Sequence, residues 1–374
     1  MLKNNKHADT AKLWLKSSIS ELGQPLFAIA AGLLIGAIII LAMGESIFEI
    51  YGAMFQGGFG TSFYFLATLT RAIPIILCGL GAAFAWRAGY INIGGEGQLI
   101  FGGFVTAVSA LYLPFRGVIG AVIAIALGML AGGLYSLLAA WLDDRFGVIL
   151  VISTLMFNYI ANYITYYFVS FPLKDNTGDG LVAKTLTIDK SMWIPRLGIV
   201  KGSTFHYGFF LAILVMVIIL FIIKKTTFGY ESRMGGLNKC FAEYGGVKRT
   251  KVMFITMFCS GAICAFGGSI EVLGLKHVYM HDMLRSPSYA WTGLMAALIA
   301  NLNPIGTVIC AIFLAGIQTG GAAIERSTNV PLEITMVIQA VITLLVSAKL
   351  LNHAIKVRKV KLTQSAEGGA QNEH

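Results

Sequence analysis

The sequence predicts an all-α, polytopic membrane protein. Of its 374 residues, 56% are hydrophobic and only 12% are charged. Apolar runs of membrane length recur along the chain with few charges inside them, which is typical of proteins with several transmembrane helices. A third observation is the glycine-rich stretch at 85–98, where polar residues separate two apolar runs. Together these features predict about ten transmembrane helices and a broken helix near residues 87–98.

The apolar runs give the order of the predicted helices. Residues 1–24 form a polar, basic tail, residues 25–350 a transmembrane domain, and residues 351–374 a second polar tail. Because no convincing cleavage site follows the first apolar run, we interpret that run as an uncleaved helix and not as a signal peptide. The spans are predicted at 25–43, 72–86, 98–113, 117–141, 147–171, 208–223, 252–273, 287–301, 305–324 and 331–348.

Arg71 and Pro74 interrupt the second apolar region. An arginine in the middle of a membrane is energetically unfavourable. Residues 59–70 are therefore predicted to form an interfacial helix that ends near Arg71, before the span at 72–86 begins.

Two loops indicate the orientation of the chain. The loop at 172–207 is long and polar, and the loop at 224–251 is basic. The face that would carry both termini and the basic loop holds most of the excess of Lys and Arg, which is the charge bias of cytoplasmic loops. We therefore predict cytoplasmic termini and an external 172–207 loop. This bias also explains the net charge of +10, so no nucleic-acid partner is predicted.

Asn92, Glu96 and Gln98 are candidate residues of a substrate pathway. They lie among four glycines in an otherwise apolar part of the chain. Uncompensated polar groups at membrane depth are costly, so such groups face protein or a water-filled path. Two interpretations stay open: a tight loop between helices whose polar groups bond to neighbouring backbone, and a broken helix on a translocation route.

Further pathway candidates lie in the predicted spans. Asn158 and Asn162 are one helical turn apart, so they share a face and either contribute to a polar ring or form interhelical hydrogen bonds. Trp291 and Tyr289 either stack on a nucleobase or anchor the chain at the membrane surface.

Glu271 is a pathway candidate near the outer end of its span, and its alternative role is pairing with Lys276 or Arg285. His277 and His281 would share a helical face, but this pair alone predicts no metal site. The five cysteines contain no CxxC pair, so neither a metal role nor a disulfide framework is predicted.

The basic loop contains a pattern for a short helix. Asn238 can cap a helix of two turns that Gly245 and Gly246 would end. A capped helix between glycine hinges is suited to docking on a partner, and the alternative is a solvated, positively charged loop.

Four segments resemble ABC importer permeases of the branched-chain amino acid, simple-sugar and nucleoside group. Residues 71–74 and 92–98 read RAIP and NIGGEGQ, close to that group's RAxP and FNIGxEGQ signature. The 229–247 segment resembles the group's coupling segment, although Met234 and Phe241 stand where alanine is usual. With NLNPIG at 301–306, the resemblance covers almost the whole chain. It is greatest to the larger permease subunit of nucleoside, guanosine-type uptake systems.

The resemblance implies a bacterial plasma-membrane subunit that translocates nucleosides and has no ATPase activity or cofactor of its own. The sequence contains no phosphate-binding loop, so ATP would be bound by partner ATPase subunits. Other implied partners are a second permease subunit, a substrate-binding lipoprotein and membrane lipid. The residues implied in coupling to the ATPase are Gly229, Arg233, Gly236, Asn238, Ala242, Glu243, Tyr244 and Gly246.

Three alternatives to nucleoside import stay open. The nearest is an ABC permease for simple sugars such as ribose. An ion-coupled secondary transporter would need ionisable groups at the midplane, where Glu96 is the one serious candidate. A membrane-embedded enzyme is disfavoured, because the spans contain neither paired carboxylates nor a spaced nucleophile and base.

Overall fold

The computed structural model describes residues 32–42, 44–177 and 182–327, together with positions 337 and 341. Both predicted tails, and the predicted span at 331–348 apart from those two positions, lie outside the described residues. The chain divides into two compact units, one of residues 52–327 and one that combines residues 1–51 with 328–374. Within the second unit, the Tyr51 hydroxyl donates a hydrogen bond to the Leu33 carbonyl.

Helices account for most of the described chain. A π-helical turn at Gln56–Gly60 follows α2, and a second at Val272–Lys276 extends α10. The helices are α1 (Gly32–Ala42), α2 (Ile47–Phe55), α3 (Ser62–Arg87), α4 (Gly95–Tyr112), α5 (Gly117–Phe146), α6 (Leu150–Ser170), α7 (Gly208–Lys225), α8 (Thr227–Leu237), α9 (Lys239–Tyr244), α10 (Arg249–Glu271), α11 (Tyr289–Ile299) and α12 (Pro304–Ser327).

Within the described ranges, five helices are long and apolar enough to cross a membrane: α3, α5, α7, α10 with its π turn, and α12. α4 and α6 have 18 and 21 residues but carry polar side chains within their apolar runs. α1 and α11 are shorter. The chain is thus a multi-pass membrane protein, but the predicted number of ten spans is not confirmed.

The region around Arg71 is one continuous helix, so its predicted division into an interfacial helix and a separate span is wrong. α3 passes through both Arg71 and Pro74. The Arg71 Nε donates to Gln318 Oε1 on α12 at 3.0 Å, which gives the guanidinium a protein partner inside the bundle. Pro74 removes one helical hydrogen bond, but it is buried and its Cα packs closely against Gly267.

Small residues allow α4, α5 and α10 to pack closely. A methyl group at Gly132 on α5 would overlap the Ala265 side chain on α10, and one at Gly128 would overlap the Thr106 hydroxyl on α4. Close approach of this kind favours helix association in membranes. By contrast, only 17% of the most apolar window of α7 is buried, against 72% for α3 and for α10.

The 172–207 loop folds back onto the end of α10. Its main chain bonds to the segment after that helix: Thr185 N donates to Tyr279 O, and Ile188 N donates to His277 O, both at 2.9 Å. Trp193 stacks on His277 with ring centroids 3.6 Å apart. The described part of the loop therefore covers this end of the helices.

Candidate functional site

The predicted interruption of the helix lies at residues 88–94, a non-helical segment between α3 and α4. Gly89 has a positive φ of 84°, which turns the chain out of α3. The segment is held at both sides: Trp86 Nε1 donates to Asn92 O at 3.1 Å, and the Tyr90 hydroxyl donates to Arg249 O at 3.2 Å. Burial raises the pKa of that Tyr90 hydroxyl. The break is shorter than predicted, because the helix resumes at Gly95.

Asn92 and Gln98 bond to each other across the start of α4. Each side-chain amide donates to the other's carbonyl oxygen at 3.1 Å. Asn92 also donates to Ser260 Oγ on α10 at 2.9 Å and accepts from Gly94 N at 2.9 Å. These contacts fit the interpretation that both amides hold the interrupted segment in place.

Asn158 forms interhelical hydrogen bonds, one of the two roles predicted for it. Its Oδ1 accepts from Gly97 N at 2.7 Å, and its Nδ2 donates to Ile93 O at 3.1 Å. α6 thereby fastens both sides of the α4 start. Asn162 is also buried and lies one turn farther along the same helix.

Glu96 stands apart from these amides, because its carboxylate pairs with residues near the start of α11. Arg285 Nε lies 3.0 Å from one carboxylate oxygen, and Trp291 Nε1 donates to the other at 2.5 Å. Arg285 also lies over the Tyr159 ring, 5.8 Å from its centroid. The carboxylate is thus charge-compensated while one side of the site, at Trp291, is still partly exposed.

The Glu96 region lies well inside the helix bundle. Gly95 packs next to Cys264 on α10 and Ala290 on α11. At about 1.5 Å of rise per residue, Cys264 is roughly 22 Å along α10 from Arg249. α11 has 11 residues, so it rises about 16 Å, roughly half of a bilayer's hydrocarbon thickness. The interruption before α4 therefore meets the start of a short helix within the bundle.

A cleft opens between these two helix starts. About 270 Å³ lies between its walls when the space open to the outside is counted, but the enclosed part holds only about one water molecule. The cleft is therefore too narrow for a small-molecule solute in this conformation. A carboxylate, an amide and an indole ring together can accept and donate hydrogen bonds and contact a flat ring. The lining residues are Cys78, Ala82, Asn92, Ile93, Gly95, Glu96, Ala290, Trp291 and Leu294.

Glu271 lies outside this cleft. Its carboxylate accepts a hydrogen bond from the Tyr289 hydroxyl at 2.9 Å, and both residues are buried. Of the two basic residues considered as partners of Glu271, Lys276 and Arg285, the second pairs with Glu96 instead. Tyr289 is enclosed by protein, so it offers no open ring face for stacking.

Sequence reasoning did not predict two side-chain pairings. Arg285 pairs with Glu96, and Gln318 accepts a hydrogen bond from Arg71. Gln318 also donates to the Thr292 hydroxyl at 2.8 Å. Both pairings join residues far apart in the chain. The charge of Arg285 was visible in the sequence, but its partner was not.

The two histidines after α10 pack against aromatic rings. His277 stacks on Trp193, and His281 lies 4.4 Å from the Tyr166 ring between centroids. Among the residues that the structure describes, no group of three or more His, Cys, Asp or Glu side chains could hold a metal ion.

The basic loop forms the short capped helix that its sequence predicts. Asn238 Oδ1 accepts from Phe241 N at 3.1 Å and caps α9, which ends at Tyr244, directly before Gly245. Gly246 has a φ of 83°. Sequence reasoning missed α8, which joins α7 through Thr226 and leads directly into α9.

The predicted coupling residues are distributed over α8, α9 and their ends. Gly229 packs against the end of α7, and Gly236 packs against residues 87–89. Ala242 faces inward, whereas Tyr244 is 94% exposed. Arg233 and Glu243 are also exposed.

The described helices and the polar interruption between α3 and α4 are those of a multi-pass membrane protein. Residues 64–347 match the family described as branched-chain amino acid transport system / permease component, and the chain belongs to this family. The resemblance found in the sequence is therefore confirmed, as is its class, the permeases of ABC importers.

Curated relatives cover most of the chain. It is 34% identical to the guanosine ABC transporter permease protein NupP of Bacillus subtilis, over 88% of this chain and 94% of that protein. It is 28% identical to the nucleoside ABC transporter permease protein NupB of Lactococcus lactis, over 92% and 96%. Identity to the glucose ABC transporter permease protein TsgB13 of Haloferax volcanii is 26%, over 86% of each chain.

Proposed function

We propose that this chain is the membrane-spanning permease subunit of an ATP-driven importer that translocates nucleosides across a bacterial plasma membrane. The observation that carries the substrate class is the similarity to the guanosine and nucleoside permeases over nearly their whole lengths. A permease for simple sugars is the second candidate, because the glucose permease also matches over most of its length.

In this proposal the solute passes the cleft at Glu96 and Trp291. The indole ring would contact the flat base, and the Glu96 carboxylate would accept hydrogen bonds from the solute. Both carboxylate oxygens are engaged in the narrow cleft, so the solute would have to replace at least one of these contacts. The remaining pathway candidates, Asn92, Gln98, Asn158, Asn162 and Glu271, would shape this route from the surrounding helices.

The α8–α9 segment would face the cytoplasm, as would both termini, and would dock on ATPase subunits that bind ATP. Its exposed side chains combine a charge at Arg233 with rings at Phe241 and Tyr244. Such a mixture of arginine and aromatic residues is enriched in protein interfaces. A substrate-binding lipoprotein would deliver the solute at the 172–207 loop, and a second permease subunit, surrounded by lipid, would complete the path.

This chain would not hydrolyse ATP. Closure of the ATPase subunits would instead favour one of two arrangements of the helices and thereby switch access to the cleft. The charge compensation of Glu96 by Arg285 argues against an ion-coupled secondary transporter, because the carboxylate already has a cationic partner.

Reconstitution into proteoliposomes tests the proposal. The chain is co-purified with its ATPase, permease and lipoprotein partners, and uptake of labelled guanosine and ribose is measured with and without ATP. We expect ATP-dependent guanosine uptake that unlabelled nucleosides inhibit. Uptake by this chain alone under a sodium or proton gradient would contradict the importer class, and ATP-dependent uptake of ribose alone would contradict the substrate class.

A further inference from the structure

The α8 helix touches the interrupted segment through backbone atoms. A methyl group at Gly236 would overlap the Arg87 carbonyl oxygen and lie 3.2 Å from both Ala88 C and Gly89 N. In return, a methyl group at Gly89 would lie 3.1 Å from the Gly236 Cα. The two glycines thus allow an approach that any larger residue at position 236 would prevent.

A second contact fixes α8 against the end of α3. The Phe228 ring stacks on Phe84 with centroids 6.1 Å apart and planes 24° apart. α8 therefore rests on α3 near both of its own ends. The Asn238 cap joins α8 directly to α9, so a force on α9 acts on α8 without an intervening flexible linker.

The 88–94 segment, which contacts α8, continues into α4 and so connects this contact to Glu96. Residues 90–94 bond to α10 through Tyr90 and Asn92, and to α6 through Ile93. Glu96 follows in the first turn of α4, where Arg285 pairs with it. Because packed backbone and hydrogen bonds connect each step, a displacement at Gly236 has a continuous physical path to the cleft.

We propose that the backbone contact between Gly236 and residues 87–89 is the point where movement of the ATPase-docking helices enters the 88–94 segment and alters the cleft. Gly236 and Gly89 are positioning residues in this mechanism. The inference rests on the proposed function, because it assumes that α8–α9 is moved by an ATPase partner.

The chain offers a matched pair of variants on the same helix. Gly236→Ala places a methyl group against the Arg87 backbone, which cannot move aside as a flexible side chain could. Gly235→Ala places it where nothing lies within 4 Å. Both changes raise the helix propensity of α8 by about 1 kcal/mol, so a difference between them reports the contact and not helix stability.

The test compares both variants with wild type in the complete, reconstituted transporter. The readouts are assembly with the ATPase subunits, nucleoside-stimulated ATPase activity over basal activity, and nucleoside molecules transported per ATP hydrolysed. For Gly236→Ala we expect normal assembly but at least about a fivefold loss of transport per ATP, which is the lower end of typical coupling between distant sites. Gly235→Ala should stay within about twofold of wild type, as for most surface substitutions.

Each outcome decides a separate point. If wild type shows no ATP-dependent uptake, the proposed function fails. If wild type is coupled and Gly236→Ala is coupled as well as Gly235→Ala, the inference fails alone. Should Gly236→Ala not accumulate in the membrane, Phe228→Ala removes the stacked ring without adding volume. It should also lower transport per ATP, and an unchanged ratio would overturn the inference.

Discussion

At the scale of single residues, the polar side chains of the interrupted segment divide into two kinds. Asn92, Gln98 and Asn158 use their amides to bind backbone and one another, so they hold the segment together. Glu96 instead joins the cleft to Arg285 and Trp291. The carboxylate is therefore the residue whose loss should affect transport more than folding.

Replacing Glu96 by Gln tests this division. The amide keeps the side-chain shape but leaves the Arg285 guanidinium without its anionic partner, and an uncompensated charge inside protein is unfavourable. We expect uptake to fall by about tenfold or more, equivalent to a change of 1.4 kcal/mol, while membrane levels and assembly are retained. Uptake in proteoliposomes and co-purification measure the two effects.

The double variant Glu96→Gln, Arg285→Gln is the control. If the pair itself matters, removing both charges should recover part of the uptake lost in the single variant. Equal losses of uptake and assembly would instead show that Glu96 has a structural role.

At the scale of elements, helix positions could be predicted from the sequence where the signal is local. Apolar runs located α5, α7 and α12, and the Asn238 cap with its terminal glycines located α9. The prediction failed at Arg71, because the partner that stabilises this charge, Gln318, lies 247 residues away. The same limit applies to the site: Glu96 was found as a polar residue in an apolar context, but its pairing with Arg285 depends on how distant helices pack.

The cap of α9 can be tested directly. Asn238→Ala removes the acceptor for Phe241 N and should destabilise α9 by about 1 kcal/mol. Since this short helix has no other described side-chain cap at its start, we expect weaker stimulation of the partner ATPase by nucleoside. Steady-state ATP hydrolysis by the assembled transporter is the measurement.

Asn238→Asp retains an oxygen acceptor at the cap and serves as the control. It should keep most of the stimulation that Asn238→Ala loses. Equal activity of both variants would show that the cap does not matter for coupling.

At the scale of the whole molecule, the stability of the cover formed by the 172–207 loop should depend on pH. His206 is fully buried, and its Nδ1 accepts a hydrogen bond from Gly208 N at 3.1 Å. Burial, reinforced by neighbouring His277 and Arg196, lowers the pKa of His206 from 6.5 to about 4. Burial and Arg196 lower the pKa of His277 to about 4 as well. The folded chain thus favours both imidazoles in the neutral form.

The direction of the pH effect follows from proton binding. Between pH 6.5 and 4 the unfolded chain binds more protons at these positions, so stability is complete above pH 6.5 and decreases as the pH falls toward 4. For His206 alone the decrease by pH 4 is roughly 3 kcal/mol. The decrease is measured as the unfolding temperature of the detergent-solubilised protein at roughly pH 7.0, 5.5 and 4.5.

His206→Gln is the matched control, because glutamine does not titrate. The variant should show a flatter decrease in unfolding temperature than wild type over the same pH range. Identical pH profiles of the two proteins would contradict the assignment to His206.

The uneven burial of the apolar helices determines which substitutions each of them can tolerate. α7 hides only 17% of its most apolar window, while α3 and α10 hide 72% of theirs. On α7 one apolar side chain can replace another without disturbing a neighbour within this chain, so such substitutions should be tolerated there. On α10 a change in side-chain size meets another backbone and requires compensating changes in the helices around it.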